Sequence, residues 1–410
     1  MYYYASIIFR NLIFGKEPME SLDREALYFF HTYKRIPLEI DRGEGVYLFA
    51  PDGRRYLDMF GGLAVNALGY AHPKLLEAIG RQARKYIHLS NYYLQEPQIQ
   101  LAELLVKYSG FSKVFFTNSG TEAIEGAIKI ARKWGSSRGK SEILSFTNAF
   151  HGRTMGALSM MDRPKYREGY EPFLQNFRII KFNDTGELRK AVDSKTLAVV
   201  TEFIQGEGGI CPVSPEMSDE IDNLRRKFGF LLIADEIQSG IGRTGKLFGF
   251  EHYGASPDIV VVAKPLGGGL PLGAILGTAT VSDVLEPGVH GTTFGGNPVA
   301  CAAGVVVLQQ IMENGVMKNA EAAGKTLLEG LLGLKKEFPS LVKDVRGFGL
   351  MLGMELTREG EPIVSELRGR GILLNCTNQN VLRFLPPLII GEEHIAETTR
   401  QLRDVFLKLR

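Results

Sequence analysis

Short apolar runs that alternate with helical segments are the feature that most constrains the fold of this chain. Helices are predicted between several of the runs, notably over 122–134 and 217–228. The runs themselves lack polar alternation, as expected for strands covered on both faces, and comprise residues 114–117, 143–146, 198–203, 231–234 and 259–263. This alternation predicts an α/β fold with a mostly parallel central sheet.

The chain has 410 residues, which is enough for two domains. We expect the domain change near residue 300, where a long helix predicted from Pro298 leads away from the sheet region. The predicted units are an N-terminal arm and hairpin, a large domain, and a smaller α+β domain with which the arm packs. Their expected ranges are 1–60, 61–300 and 301–410.

Composition excludes several classes of partner. The 48 basic and 46 acidic residues give a net charge of +2, and no polybasic patch predicts a nucleic-acid partner. No apolar run approaches the length of a membrane span. The three cysteines, Cys211, Cys301 and Cys376, are far apart, which argues against disulfides or a metal site and fits a cytoplasmic protein.

The first residues, 1–14, are aromatic and apolar, but Arg10 and Asn11 interrupt them. They lack a charged lead-in and a small-residue cleavage site, so we do not interpret them as a signal peptide. An extension, or a true start at Met19, is the simpler interpretation.

Lys264 directly follows the apolar run that ends at Ala263, and three glycines follow at 267–269. A lysine at the edge of an apolar sheet has its ammonium form destabilised, so its amine can act as a nucleophile. The glycines let a flat ligand approach closely. Taken alone, the stretch is better explained as a surface lysine in a flexible loop.

Asp235 ends another apolar run, and Gln238 lies three residues further along. A carboxylate at the end of a buried strand needs a cation or several donors, and a protonated pyridine nitrogen would serve. A strand-end cap or a salt bridge explains Asp235 equally well. An aldehyde-reactive lysine and an aspartate for a pyridinium together describe a pyridoxal phosphate site.

Four further motifs have both a functional and a plain structural explanation. The turn 117–123 joins a strand to a helix, where phosphate can bind, but it also suits an ordinary helix cap. The motif 150–153 offers an aromatic face and an arginine, or a core phenylalanine beside a solvated arginine. Glu202 and Glu207 could pair with arginines or face water. Arg383 lies between apolar neighbours, where an unpaired charge would be costly.

In this combination and order, the motifs resemble those of the class III aminotransferases of the fold-type I pyridoxal phosphate family. The resemblance runs from about residue 35 to the C-terminus. Within the family, the segments 61–66 and 375–377 are similar to those of acetylornithine aminotransferases, and Gly62 stands where ornithine aminotransferases tend to carry tyrosine. The resemblance implies a large domain with a mostly parallel sheet, a smaller α+β domain and a pyridoxal 5'-phosphate cofactor.

The resemblance also implies roles for individual residues. Lys264 would be the Schiff-base lysine and Asp235 the partner of the ring nitrogen, and both would be catalytic. Residues expected to bind the cofactor are Ser119, Gly120, Thr121, Phe150, His151, Glu202, Asp235, Gln238, Lys264 and Thr293. Residues expected to bind substrate are Arg153, Glu207, Thr292 and Arg383. Thr292 and Thr293 would come from the partner subunit of a homodimer, and no metal is expected.

The implied reaction moves the δ-amino group of N2-acetyl-L-ornithine to 2-oxoglutarate, giving N-acetyl-L-glutamate 5-semialdehyde and L-glutamate in arginine biosynthesis. A related enzyme could instead act on 4-aminobutyrate, ornithine or succinyldiaminopimelate. A pyridoxal phosphate aminomutase would form no glutamate. A non-catalytic dimer is a further alternative, against which the presence of Lys264, Asp235 and Arg383 counts.

Overall fold

The five apolar runs are strands of one seven-stranded sheet in a computed structural model, which describes residues 21–409. Across the sheet the strands are Lys113–Thr117, Gly273–Gly277, Ile259–Val262, Leu231–Asp235, Thr196–Thr201, Glu142–Phe146 and Phe177–Ile180. Neighbouring strands are parallel except Gly273–Gly277, which is antiparallel to both of its neighbours. The predicted mostly parallel sheet is therefore confirmed.

Apolar residues cover both faces of this sheet because successive side chains of a strand point to opposite sides. Ile259 and Val261 belong to one apolar cluster, which also contains the inner face of the helix Gly120–Ser136. Val260 and Val262 belong to a second cluster on the other face. A strand buried on both sides cannot carry polar alternation, and this accounts for the uninterrupted apolar runs in the sequence.

Several helices begin at residue types expected for helix starts. Ser119 and Ser214 each cap a helix by accepting a hydrogen bond from a backbone N–H of the first turn. The helices are Ser21–Tyr28, Gly61–Ala64, Pro73–Lys85, Glu96–Ser109, Gly120–Ser136, Met155–Ser159, Pro164–Arg167, Thr185–Ala191, Pro215–Phe228, Pro298–Glu313, Val316–Glu337, Glu361–Gly369 and Glu392–Leu407, with 3-10 turns at Gly249–Tyr253 and Lys264–Gly267.

A four-stranded antiparallel sheet forms from the C-terminal part of the chain. In order its strands are Val342–Phe348, Met351–Leu356, Val381–Phe384 and Asn375–Thr377. Arg383 lies opposite Gly353 on one side and Asn375 on the other. The remaining strands are Arg42–Glu44, Tyr47–Phe49, Arg55–Asp58, Ile204–Gln205, Cys211–Pro212 and Ile372–Leu373.

The described residues divide into two units. The seven-stranded sheet and the four-stranded antiparallel sheet both lie in the unit made of residues 43–48 and 55–409. The other unit consists of residues 21–42 and 49–54. Within it, Arg35 Nε lies 2.9 Å from Glu25 Oε1. The domain boundaries expected near residues 60 and 300 stay predictions.

The interpretations of residues 1–14 and of Met19 fall outside the described residues. Within residues 21–409, no single helix has both the length and the apolar composition to cross a membrane. One bent pair, Pro298–Glu313 with Val316–Glu337, meets that test by length and composition.

Candidate active site

The carboxyl ends of the parallel strands meet at one edge of the large sheet and border a cavity of about 660 Å³. Such an edge is where α/β proteins place their ligands. The predicted site residues that line this cavity are Ser119, Gly120, Thr121, Phe150, His151, Arg153, Glu202, Glu207, Asp235, Gln238, Lys264 and Arg383. Residues far apart in sequence therefore converge because their strands are neighbours.

Lys264 lies at the start of a 3-10 turn just after the strand Ile259–Val262. Its φ of 41° is in the left-handed region, which is uncommon for a residue other than glycine and frequent at functional sites. Burial lowers the pKa of Lys264, although the nearby carboxylates of Glu207 and Asp235 oppose this. A lowered pKa makes the neutral, nucleophilic amine easier to form.

Asp235 ends its strand buried and hydrogen-bonded to His151. The distance from Asp235 Oδ2 to His151 Nδ1 is 2.7 Å, and Asp235 Oδ1 accepts a hydrogen bond from Ile237 N at 3.1 Å. Burial alone would lower the pKa of His151, but the hydrogen bond and charge of Asp235, together with Glu202, raise it overall. The arrangement keeps a carboxylate at the cavity wall, where it can meet a second cation.

Glu202 stands beside this pair, but its carboxylate is used by the main chain. Its Oε2 accepts a hydrogen bond from Phe150 N at 3.0 Å, and its Oε1 accepts one from Gly206 N at 3.1 Å. Burial, and then the charge of Asp235, raise the pKa of Glu202. The contacts that the structure shows for Glu202 therefore hold two loops of the cavity in place, and its predicted role in binding the cofactor stays a prediction.

The turn before the helix Gly120–Ser136 is held in the form expected of an anion site. Asn118 N donates to Glu122 Oε2 at 2.7 Å, so the turn is fixed from within. Gly152, with φ of 130°, passes so close to Thr121 that a Cβ would lie 2.1 Å from Thr121 Oγ1. The N-terminus of a 17-residue helix borders the cavity here, and its first N–H groups, which have no partner within the helix, and its dipole favour a phosphate.

Phe150 and Arg153 share this wall with Tyr166, which the sequence analysis did not single out. The rings of Phe150 and Tyr166 meet edge to face with centroids 6.0 Å apart. Arg153 Cζ lies 3.8 Å from the centroid of Tyr166 and 5.5 Å from that of Phe150. The exposed guanidinium of Arg153 is thus oriented by aromatic faces and can still bind a carboxylate.

Two buried polar atoms of the cavity, Gln238 Oε1 and His151 Nε2, have no hydrogen-bond partner among the described residues. Buried polar groups without partners are rare and costly, so these atoms are suited to a polar ligand. A Cβ on Gly206 would lie 2.2 Å from Gln238 Oε1, and the glycine leaves that amide in place. Together with Lys264, Asp235 and the helix N-terminus, these groups fit pyridoxal phosphate.

Arg383 and Glu207 form an ion pair on the opposite wall. Arg383 Nη1 donates to Glu207 Oε1, and Arg383 Nε donates to Asn375 Oδ1 at 2.9 Å. The Arg383 side chain is 2% exposed, whereas that of Glu207 is 20% exposed. Burial alone would raise the pKa of Glu207, but Arg383, followed by Lys264 and Arg163, lowers it overall. The sequence indicated that the charge of Arg383 needs a partner, and in the structure that partner is Glu207.

Thr292 and Thr293 do not line this cavity. Thr292 Oγ1 accepts a hydrogen bond from Asn118 Nδ2 at 2.9 Å, and Thr292 O accepts one from Asn91 Nδ2 at 3.1 Å. Thr293 is exposed, and Phe294 beside it is 58% exposed. The roles predicted for both threonines in the site of a partner subunit stay predictions.

Sequence analysis missed two side chains of this region, Tyr166 and Arg163. Both belong to the segment around the short helix Pro164–Arg167, whose four residues carry no periodic apolar pattern. Arg163 Nη2 donates to the main-chain oxygen of Glu207 at 2.5 Å. The only signal in the sequence was the density of basic and aromatic residues over 163–167.

Comparisons with known proteins agree over most of the chain. The family model "Aminotransferase class-III" matches residues 28–406. The acetylornithine aminotransferase of Caldanaerobacter subterraneus subsp. tengcongensis is 46% identical over 390 residues, which is 94% of this chain and 99% of that protein. The chain is therefore similar in sequence to class III aminotransferases over nearly its whole length.

Two solved structures illustrate the likeness in fold. The ornithine aminotransferase of Toxoplasma gondii, with partial occupancy of PLP at its active site, has a TM-score of 0.90 at 31% identity and covers 98% of this chain and 97% of its own. The N-acetylornithine aminotransferase of Stenotrophomonas maltophilia has a TM-score of 0.81 at 35% identity, covering 95% of this chain and 100% of its own.

Proposed function

Because this chain belongs to the class III aminotransferases, we propose that it transfers the δ-amino group of N2-acetyl-L-ornithine to 2-oxoglutarate. The products are N-acetyl-L-glutamate 5-semialdehyde and L-glutamate, and the reaction is a step of arginine biosynthesis. Relatives that are 43–46% identical over nearly the full length carry the name acetylornithine aminotransferase, which supports this substrate. The match to the family model confirms the family that the sequence motifs resembled.

The cofactor is pyridoxal 5'-phosphate. It supplies an aldehyde that condenses with amines and a ring that takes up the electrons left when a substrate C–H bond breaks. Lys264 would hold the cofactor through its amine and would act as the general base that takes up the substrate proton. The Asp235 carboxylate, hydrogen-bonded to His151, would pair with the protonated ring nitrogen. Lys264 needs a neutral amine for both of its roles, and burial, which lowers its pKa, favours that form.

The remaining cofactor contacts follow from the walls of the cavity. The N–H groups of Ser119, Gly120 and Thr121, with the hydroxyls of Ser119 and Thr121, would bind the phosphate. Phe150 would pack against the ring, and Gln238 would offer a polar atom to the ring hydroxyl. These assignments rest on the convergence of the residues around one cavity and on the two buried polar atoms that lack partners.

The single observation that carries the proposed reaction is the ion pair between Glu207 and Arg383. The amine donor has no carboxylate beside its reacting carbon, so Arg383 then needs another anion, and Glu207 provides it. In the second half-reaction the α-carboxylate of glutamate or 2-oxoglutarate takes Arg383 with two parallel hydrogen bonds, and Glu207 moves aside. Arg153, at the mouth, binds the distal carboxylate of either substrate.

The test is to supply the purified holoenzyme with acetylornithine and 2-oxoglutarate and to measure both products. Ornithine, 4-aminobutyrate and succinyldiaminopimelate serve as competing donors under the same conditions. We expect acetylornithine to have the highest kcat/KM. A preference for another donor, or turnover without glutamate formation, would refute the proposed reaction and indicate a related transaminase or an aminomutase.

The active form is proposed to be a homodimer with shared sites. Two segments near Thr293 carry large exposed apolar side chains, namely Ile87, Tyr92, Tyr93, Leu94, Val289 and Phe294. Asn91 Nδ2 joins the segments by donating to Thr292 O and Gly295 O. Exposed apolar side chains brought together in this way favour an interaction surface, and a second copy would bury them. We also propose a location in the cytoplasm and domain boundaries near residues 60 and 300.

A further inference from the structure

Side chains of other residues hold the main chain of Glu207 and Gly208 in place. Its carbonyl oxygen accepts hydrogen bonds from Arg163 Nη2 at 2.5 Å and from Thr377 Oγ1 at 3.0 Å. Gly208, the next residue, is held through its carbonyl oxygen by Asn378 Nδ2 at 2.9 Å. Among residues 21–409, the ion pair with Arg383 is the one contact that holds the carboxylate. Rotation of the Glu207 side chain about a fixed backbone is therefore the movement available to it.

A carboxylate that leaves Arg383 needs another partner, because a partly buried charge without one is costly. Burial raises the pKa of Glu207, and three cations offset this: Arg383, Lys264 and Arg163. A substrate carboxylate occupies Arg383 in the half-reaction in question, and Lys264 is engaged at the reacting carbon. Of the three cations, Arg163 remains.

The guanidinium of Arg163 lies beside Glu207, because its Nη2 donates to the main-chain oxygen of that residue. Its Nε is buried and has no hydrogen-bond partner among residues 21–409, and its Nη2 donates only to the main-chain oxygens of Glu207 and Asn148. Within the same residues it forms no salt bridge with a carboxylate. A guanidinium has five N–H donors in a planar fork, so a carboxylate can bind while the contact with the Glu207 carbonyl persists.

We propose that Arg163 is the second partner of the Glu207 carboxylate and receives it when a substrate α-carboxylate takes Arg383. This inference rests on the proposed function, because it assigns a position to Glu207 in the second half-reaction. Glu207 then has two cationic positions, one for each kind of substrate. Arg163 is a positioning residue that sets the relative rates of the two half-reactions and has no role in the proton transfer.

The first test compares Arg163→Gln, Arg163→Lys and the control Lys165→Gln, which removes an exposed charge from the same segment. Each half-reaction of the holoenzyme is followed separately by cofactor absorbance. Because hydrogen bonds to charged groups are the stronger ones, we expect Arg163→Gln to lower kcat/KM for glutamate by roughly tenfold. The acetylornithine half-reaction should change less than about twofold, Arg163→Lys should recover part of the loss, and the control should match the wild type.

The second test repeats Arg163→Gln in a Glu207→Ala background. If Arg163 acts by receiving the Glu207 carboxylate, its substitution should no longer slow the glutamate half-reaction, since interacting residues are not additive. The same loss in both backgrounds would overturn the proposal and leave Arg163 a structural residue. The glutamate arm needs no acetylornithine, so a wild type that ignores acetylornithine refutes the proposed function without affecting this comparison.

A third measurement does not depend on turnover. Glutarate is a dicarboxylate that cannot react. Its dissociation constant should be higher in Arg163→Gln than in the wild type and unchanged in Lys165→Gln. A crystal structure of the holoenzyme with 2-oxoglutarate should show the Glu207 carboxylate hydrogen-bonded to Arg163. A carboxylate that stays on Arg383 or turns to solvent in that complex would overturn the inference.

Discussion

Replacing Glu207 with glutamine removes the charge of the ion pair and leaves the shape of the side chain nearly unchanged. Under the proposed reaction, an α-carboxylate has to displace Glu207 from Arg383 in the wild type before it can bind. In the variant that displacement is easier, so glutamate and 2-oxoglutarate should bind more tightly. The amine donor places no carboxylate at Arg383, so the same substitution leaves that guanidinium with an incomplete partner and should weaken binding of the donor.

The magnitude follows from the burial of the two partners. Arg383 is 2% exposed and Glu207 is 20% exposed, so the pair is largely shielded from water. A hydrogen bond to a charged group contributes about 1.5–3 kcal/mol. Asn375 keeps one donor of Arg383 satisfied, which places the expected effect at the low end. About 1.5 kcal/mol in each direction corresponds to roughly tenfold for each half-reaction and roughly a hundredfold in their ratio.

The assay is the same pair of half-reactions, with glutarate inhibition as a measure of binding alone. Glu220→Gln is a matched control, because Glu220 Oε2 forms a surface ion pair with Arg189 Nη2 at 2.8 Å outside the cavity. We expect opposite changes for the two substrates in Glu207→Gln and none in the control. If both half-reactions of Glu207→Gln fell by the same factor, Glu207 would be a structural carboxylate and the reasoning would be wrong.

Four further outcomes are expected. Lys264→Ala should abolish turnover without unfolding the chain, and mass spectrometry after borohydride reduction of the wild type should find the cofactor on Lys264; an adduct elsewhere would contradict the assignment. Mixing Lys264→Ala with Thr293→Ala should restore activity through hybrid dimers, whereas an active monomer in sedimentation would exclude shared sites. Denaturant titrations should show that Gly152→Ala costs roughly 2–4 kcal/mol of stability, because Gly152 has a φ of 130° and a close contact with Thr121. The control Gly139→Ala should cost roughly 1 kcal/mol, because Gly139 has a φ of 66° and faces open space. Equal losses would refute the steric argument. Burial raises the pKa of Glu236 from 4.5 to about 7, so the unfolded chain binds fewer protons at this group between those values, and its contribution to the free energy of unfolding falls as pH rises through that window. Glu236→Gln should remove that part of the pH dependence, and identical dependence in both proteins would contradict it.

The strand-end residues could be predicted from sequence because their signals are local. A run of apolar residues such as Ile259–Val262 defines a buried strand, and whatever polar residue follows must lie at the edge of the sheet. Lys264 and Asp235 were therefore located by position and chemistry together. The same argument predicted that Arg383, set between apolar residues, needs a partner, although naming Glu207 depended on the resemblance to a family.

Arg163 and Tyr166 could not be predicted because their positions depend on tertiary structure. They come close to Glu207 and Arg153 only through the path of the chain between two strands of the large sheet, and the helix Pro164–Arg167 has no apolar face to indicate it. Likewise, the pairing of Arg383 with Asn375 depends on the register of two antiparallel strands. Local sequence patterns carry no information about such contacts.

Glu202 links the two walls of the cavity, and this explains why a carboxylate occupies a buried position beside another carboxylate. One of its oxygens holds the loop that carries Phe150, and the other holds Gly206, the neighbour of Glu207. A glutamine at this position has one acceptor oxygen and could hold only one of the two loops. Burial, and then the charge of Asp235, raise the pKa of Glu202 and so disfavour its ionised form, a cost that His151 partly offsets. The loop that carries Phe150 and the segment beside Glu207 are thus held together by one buried side chain.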